Sequence, residues 1–66
     1  MSEYETLCTE AVGWAQELMH DVFVVEDQAG RLSLAGGIAA IDWTRAVAVT
    51  AVGPDGRRRT ERRPQA

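Results

Sequence analysis

Sixty-six residues, 45% of them apolar and with a net charge of −3, make one domain at most, of a size at which a private hydrophobic core is marginal. A single cysteine excludes an internal disulfide framework, and Cys8 with His20 falls short of the four ligands of a structural zinc site, so no metal or cofactor is expected. An acidic opening, Met1-Ser2-Glu3-Tyr4-Glu5, and no uncharged apolar run longer than the seven residues Ala35 to Ile41 argue against a signal peptide or membrane span, and a cytoplasmic location is expected.

Residues 3 to 21 read as one helix. Tyr4, Leu7, Ala11, Trp14 and Leu18 recur at alternating spacings of three and four, with Cys8, Val12, Ala15 and Met19 beside them. Ser2 followed by Glu5 is a capping box that starts the helix at Glu3. The apolar arc covers about four of seven heptad columns, wider than a coiled-coil seam, so it is expected to lie on a sheet. Glu3, Glu10 and Glu17 stack on the far side with Thr6, Gly13 and His20. Gly13 costs about 1 kcal/mol relative to Ala and reads as a tolerated blemish.

From Val22 the residues turn β-branched and aromatic, and Asp27-Gln28-Ala29-Gly30 closes this first strand with a turn that wants a positive φ at Gly30. Arg31-Leu32-Ser33-Leu34 alternates with period two and is expected to pair back as a hairpin with its leucines inward. Gly36-Gly37 marks the next reversal. Ile38 to Asp42 fits either one helical turn or the start of a strand, and strand is the expectation. A long strand with both faces covered then runs from Trp43 to Val52.

Gly53-Pro54-Asp55-Gly56 is a turn, because Pro presets φ, Asp bonds its own backbone and Gly accepts a left-handed conformation. Arg57 to Arg63 follows as an edge strand whose five arginines deter further pairing, and Pro64-Gln65-Ala66 is expected to fray. The expected architecture is α+β: a single domain, residues 1–63, with one amino-terminal amphipathic helix packed on an antiparallel meander of three to five short strands.

Chemistry has few footholds in this chain. Cys8 and His20 lie twelve residues apart, about 18 Å along one continuous helix, which separates thiol from imidazole. Glu17 and His20 have the Glu-x-x-His spacing of di-iron bundles, but a solvated polar pair is the expected state. No catalytic residue is assigned. Charge is strongly polarised: residues 1–44 hold eight acids and one arginine, and residues 45–66 hold six arginines and two acids. The two parts attract, within one molecule or between neighbours; the ridge of Glu3, Glu10 and Glu17 is expected to be a solvated helix face, with the receiving of arginine side chains as its alternative role.

These features point to a small non-catalytic assembly or accessory protein, a homo-oligomer or one that docks on a larger protein. The candidate interface is Tyr4, Leu7, Ala11, Trp14, Leu18 and Trp43. The alternative is a nucleic-acid-associated regulator using Arg57, Arg58, Arg59, Arg62 and Arg63, which also serve as candidate partner contacts. The absence of Lys and Asn suggests a GC-rich bacterial or phage genome.

Overall fold

Ser2 begins the first element. In the computed structural model, which describes residues 2–62, its hydroxyl oxygen accepts the Glu5 N–H at 3.1 Å and its carbonyl accepts the Thr6 N–H at 3.0 Å, starting α1 (Glu3–Leu18). The reciprocal half of the capping box is replaced, because the Glu5 carboxylate binds Arg58 instead. α1 ends three residues before the expected limit at 21. Met19 takes a left-handed conformation (φ 63°, ψ 30°) and donates its N–H to the Ala15 carbonyl at 2.7 Å. The β-branched run from Val22 already belongs to the sheet, so the chain must reverse within three residues, and the left-handed cap does this. His20 therefore leaves the helix, is exposed, and donates its Nδ1 to the Asp21 carbonyl at 2.9 Å, while Cys8 is fully buried.

Four strands follow: β1 (Val22–Asp27), β2 (Leu32–Ala35), β3 (Ala46–Val52) and β4 (Arg58–Glu61), all antiparallel, in the order β2-β1-β3-β4. Both hairpins close alike. Gly30 (φ 79°) donates to the Asp27 carbonyl and Asp27 to the Arg31 carbonyl; Gly56 (φ 85°) donates to the Gly53 carbonyl and Gly53 to the Arg57 carbonyl, all at 2.9 to 3.0 Å. Asp27 Oδ1 adds bonds from the Ala29 and Arg31 N–H groups, and Asp55 Oδ1 one from Arg57 N–H. These closures set the phase of the ladders. Val25 and Phe23 exchange bonds with Ser33 and Ala35, and Ala51 and Val49 with Arg59 and Glu61, so Leu32 and Leu34 on β2, and Arg58 and Thr60 on β4, turn their backbone groups outward.

The sheet has an apolar layer on each face. Beneath α1, Cys8, Ala11 and Ala15 meet Val22, Val24 and Val52, with Tyr4, Leu7, Val12 and Leu34 at the margin. On the other face Phe23, Ala35, Ile41, Val49 and Ala51 cluster, flanked by Val25, Trp43 and Ala46. Alternation along β1 puts its valines and phenylalanine on these opposite faces.

Residues 36–45 cover the second face, and here the structure corrects two expectations. Ile38 to Ala40 is a 3-10 turn, not a strand: Ala40 donates to the Gly37 carbonyl at 3.0 Å and Ile41 to the Ile38 carbonyl at 3.3 Å. The chain must pass from β2, at one edge, across β1 to β3, and a strand at 38–42 would not bring Ile41 under the sheet. The long strand begins at Ala46, not at Trp43. Asp42 holds residues 43–45 in a turn, its Oδ1 accepting the Thr44 hydroxyl at 2.6 Å and N–H at 3.1 Å, its carbonyl accepting Arg45 and Ala46. A bulge then sets Glu26 opposite Ala48 and Asp27 opposite Ala46, which brings Ala46 into the second layer and leaves Val47 between them, 64% exposed.

Gly13 has open space where a Cβ would stand. Gly13→Ala is expected to stabilise the protein by about 1 kcal/mol, read as a higher urea midpoint with an unchanged slope.

Candidate functional site

The two flanks of α1 differ, and this difference organises the surface. On the β4 side Tyr4 Oη lies 3.1 Å from Thr50 Oγ1, the Gln16 amide donates to the Pro54 carbonyl at 3.1 Å, and Arg58 grips Glu5 with two bonds of 3.1 and 3.0 Å while lying 6.0 Å above the Tyr4 ring. On the β2 side Trp14 and Leu18 lean against Gly36. A Cβ at Gly36 would stand 3.0 and 3.1 Å from two carbons of the Trp14 ring, so glycine is what admits the indole. Gly36→Ala is expected to push the ring into solvent, red-shift its emission and cost about 1 kcal/mol, measured by fluorescence and urea unfolding.

Trp14 nevertheless stays 37% exposed and Leu18 38%, with Ile38 near in sequence at 45%. Glu10 and Glu17 stand four residues before and three after Trp14, on its outer side, and Glu3 lies a further two turns toward the helix start. All three are exposed and make no ion pair among the described residues.

Of the other candidate interface residues, Ala11 is fully buried under the helix, and Tyr4 and Leu7 are half-buried around the same layer. Trp43 is half-buried beside the second layer. Trp14 and Leu18 are the two that keep a substantial free surface.

The arginines find acceptors other than the ridge, which stays the solvated face expected of it. Arg58 pairs with Glu5 and Arg59 with Asp21 at 2.9 Å, while Arg57 approaches Asp55 at 3.4 Å. β4 runs beside the opposite flank of α1 from Glu3, Glu10 and Glu17, which puts the ridge out of its reach. Arg62 is exposed; Arg63 and residues 64–66 lie outside the described residues. Arg58 holds the Glu5 carboxyl below its ordinary value, chiefly through the side-chain hydrogen bond, and Glu5 in turn raises Arg58. The Thr44 hydroxyl likewise lowers Asp42.

A carboxyl whose folded value is depressed adds stability above its unfolded value and loses it as pH falls through the folded one. The starting values are 4.5 for Glu5 and 3.8 for Asp42. Thermal midpoints are therefore expected to fall on acidification from about pH 6 to about pH 3, and to fall less in the Glu5→Gln protein.

Two open depressions flank the sheet, one of about 310 Å³ between Asp21, Gly53, Asp55, Arg57 and Arg59, the other of about 260 Å³ around Ser33, Ile41, Asp42 and Arg45. Each mixes acids and arginines that face one another. Among the described residues no group of three His, Cys, Asp or Glu side chains is gathered as a metal site, and no helix is long and apolar enough to cross a membrane.

No protein-family model, curated protein or solved structure matches this chain. Its surfaces are what carry a functional reading. Sequence reasoning named Trp14 as an interface candidate without fixing its exposure, and found the opposed charges; it missed Glu5 and Asp21 as arginine acceptors, because the order of strands decides which acids β4 can touch. The glycine pair at 36–37 was a signal for the Trp14 contact, read there only as a turn.

Proposed function

We propose that this chain is a small non-catalytic assembly or accessory protein that works by self-association or by docking on a larger partner. The observation that carries the reading is the joint exposure of Trp14 and Leu18 on the β2 flank of α1. The fully buried side chains of the protein are small, led by Val22, Val24, Val52 and Cys8, while one of its two tryptophans keeps over a third of its surface in water. Large aromatic side chains dominate the energetics of protein interfaces. Among the described residues no strand pairs with the outer edge of β2, Leu32–Ala35, which carries no charged side chain and runs beside them.

Phosphate binding by Arg57, Arg58, Arg59 and Arg62 has less support. Arg58 and Arg59 are held by Glu5 and Asp21, so a polyanion would have to displace an intramolecular carboxylate from each.

Sedimentation at about 10 μM tests the proposal, a concentration at which an interface of micromolar Kd is mostly formed. The wild type is expected to run heavier than its 7.2 kDa monomer, or to retain a partner in pull-down. Trp14→Glu is expected to abolish whichever is seen. A wild type that stays monomeric and captures nothing in a Trp14-dependent way defeats the reading.

A further inference from the structure

We propose that copies of this chain associate head to tail, the β4 edge of one adding to the β2 edge of the next, so that their sheets run on as one. This rests on the self-association half of the reading above and specifies its geometry.

Both edges offer the necessary groups. The ladder phase leaves Leu32 and Leu34 on β2, and Arg58 and Thr60 on β4, with backbone N–H and C=O groups directed away from the sheet. Because successive neighbours in the order β2-β1-β3-β4 are antiparallel, β2 and β4 of one molecule run in opposite directions. A second copy set alongside in the same orientation therefore meets the first in antiparallel pairing, with both helices on one side and a repeat of about 19 Å from four strand spacings.

The helix layer fits the same arrangement. α1 makes its main contacts with β1, β2 and β3 and reaches β4 through Arg58, which leaves Thr60 and Arg62 exposed. On the helix side of β4 stand Arg58 and Thr60, since Thr60 pairs with the Thr50 that meets Tyr4; the same alternation, continued one residue past the strand end at Glu61, would carry Arg62 to that side. The neighbour would bring its β2 flank to this side: Trp14 and Leu18 for the stems of Arg58 and Arg62 to cover, and Glu10 and Glu17 for the guanidinium group of Arg62, since that of Arg58 stays on Glu5.

Charge selects this pairing over its rivals. Two β4 edges related by a two-fold axis would bring the arginines of both copies together, and two β2 edges would bring both rows of glutamates together. Only unlike edges set opposite signs face to face. The arginines that deter β4 from pairing with itself thus suit it to the acid-flanked edge. Such a contact is heterologous, and it closes into a ring or continues as an open array.

Complementation between two edge-blocked variants tests the geometry. Thr60→Pro removes an outward N–H from β4 and leaves the ladder to β3 intact, and the double variant Glu10→Arg, Glu17→Arg reverses the charge beside β2. Each is checked by circular dichroism for wild-type secondary structure. In low salt, native mass spectrometry is expected to show wild-type oligomers, monomers for each variant alone, and a 1:1 pair when the two variants are mixed. Raising the salt to about 0.5 M is expected to weaken wild-type association at least tenfold.

Variants that assemble like the wild type, or folded variants that fail to pair on mixing, overturn the head-to-tail contact. If the wild type still assembles and Trp14→Glu still disperses it, the assembly reading stands without this geometry. A monomeric wild type in low salt overturns self-association in either form. Trp14-dependent capture of an extended segment of another protein would then assign the β2 edge to that partner.

Discussion

The Phe23→Ala protein is expected to be largely unfolded at room temperature. Phe23 is 7% exposed at the centre of the layer on the side away from α1, where its neighbours Ala35, Val49 and Ala51 are too small to close over the vacated volume. Removing a buried phenylalanine side chain costs about 3–5 kcal/mol, and a chain of this length has about 3–10 kcal/mol in total. Its covering segment, residues 36–45, depends on the same contact, because Ile41 packs in that layer and Trp43 at its rim. Loss of far-UV dichroism in buffer, against a Phe23→Leu control that retains it, is the expected result. A Phe23→Ala protein with an unchanged urea midpoint would show that the second layer does not hold the sheet.

Ala11→Leu is expected to be the next most damaging change, at about 1–3 kcal/mol. Ala11 has no exposed surface and sits where α1 rests on Val22, Val24 and Val52. A leucine there has no room unless the helix lifts. Lifting would stretch the Tyr4–Thr50 and Gln16–Pro54 hydrogen bonds, both 3.1 Å, that pin its β4 flank. Alanine and leucine are both strong helix formers, so the loss reports docking and not helix formation. A urea midpoint equal to that of the wild type would contradict a helix lying directly on β1 and β3.

The features readable from the sequence were those set by local chemistry. Ser2 as a cap, the apolar arc of α1, and the Asp-containing turns that end in Gly30 and Gly56 depend on residues within one turn of each other, and the structure has all of them. The α+β architecture followed, since a wide helix face requires a sheet and the β-branched runs supply it. What escaped was decided at longer range. Ile38-Ala39-Ala40-Ile41 has no local preference strong enough to choose strand or turn; the need to carry the chain from β2 across to β3 chose for it. The end of α1 at Leu18 is likewise imposed by the strand that begins at Val22. At the surface, the spacing of Glu3, Glu10 and Glu17 located an acidic row, but which acids meet arginines depended on the β2-β1-β3-β4 order, and that order is not written in any one segment.

Cys8 has a practical consequence. As the lone thiol of the chain, with no accessible surface and its Sγ beneath the middle of the helix, it cannot react with an alkylating reagent until α1 detaches from the sheet. The speed at which such a reagent marks the folded protein therefore counts how often that opening occurs, and comparing it in dilute and concentrated solution reads whether neighbouring molecules slow the opening.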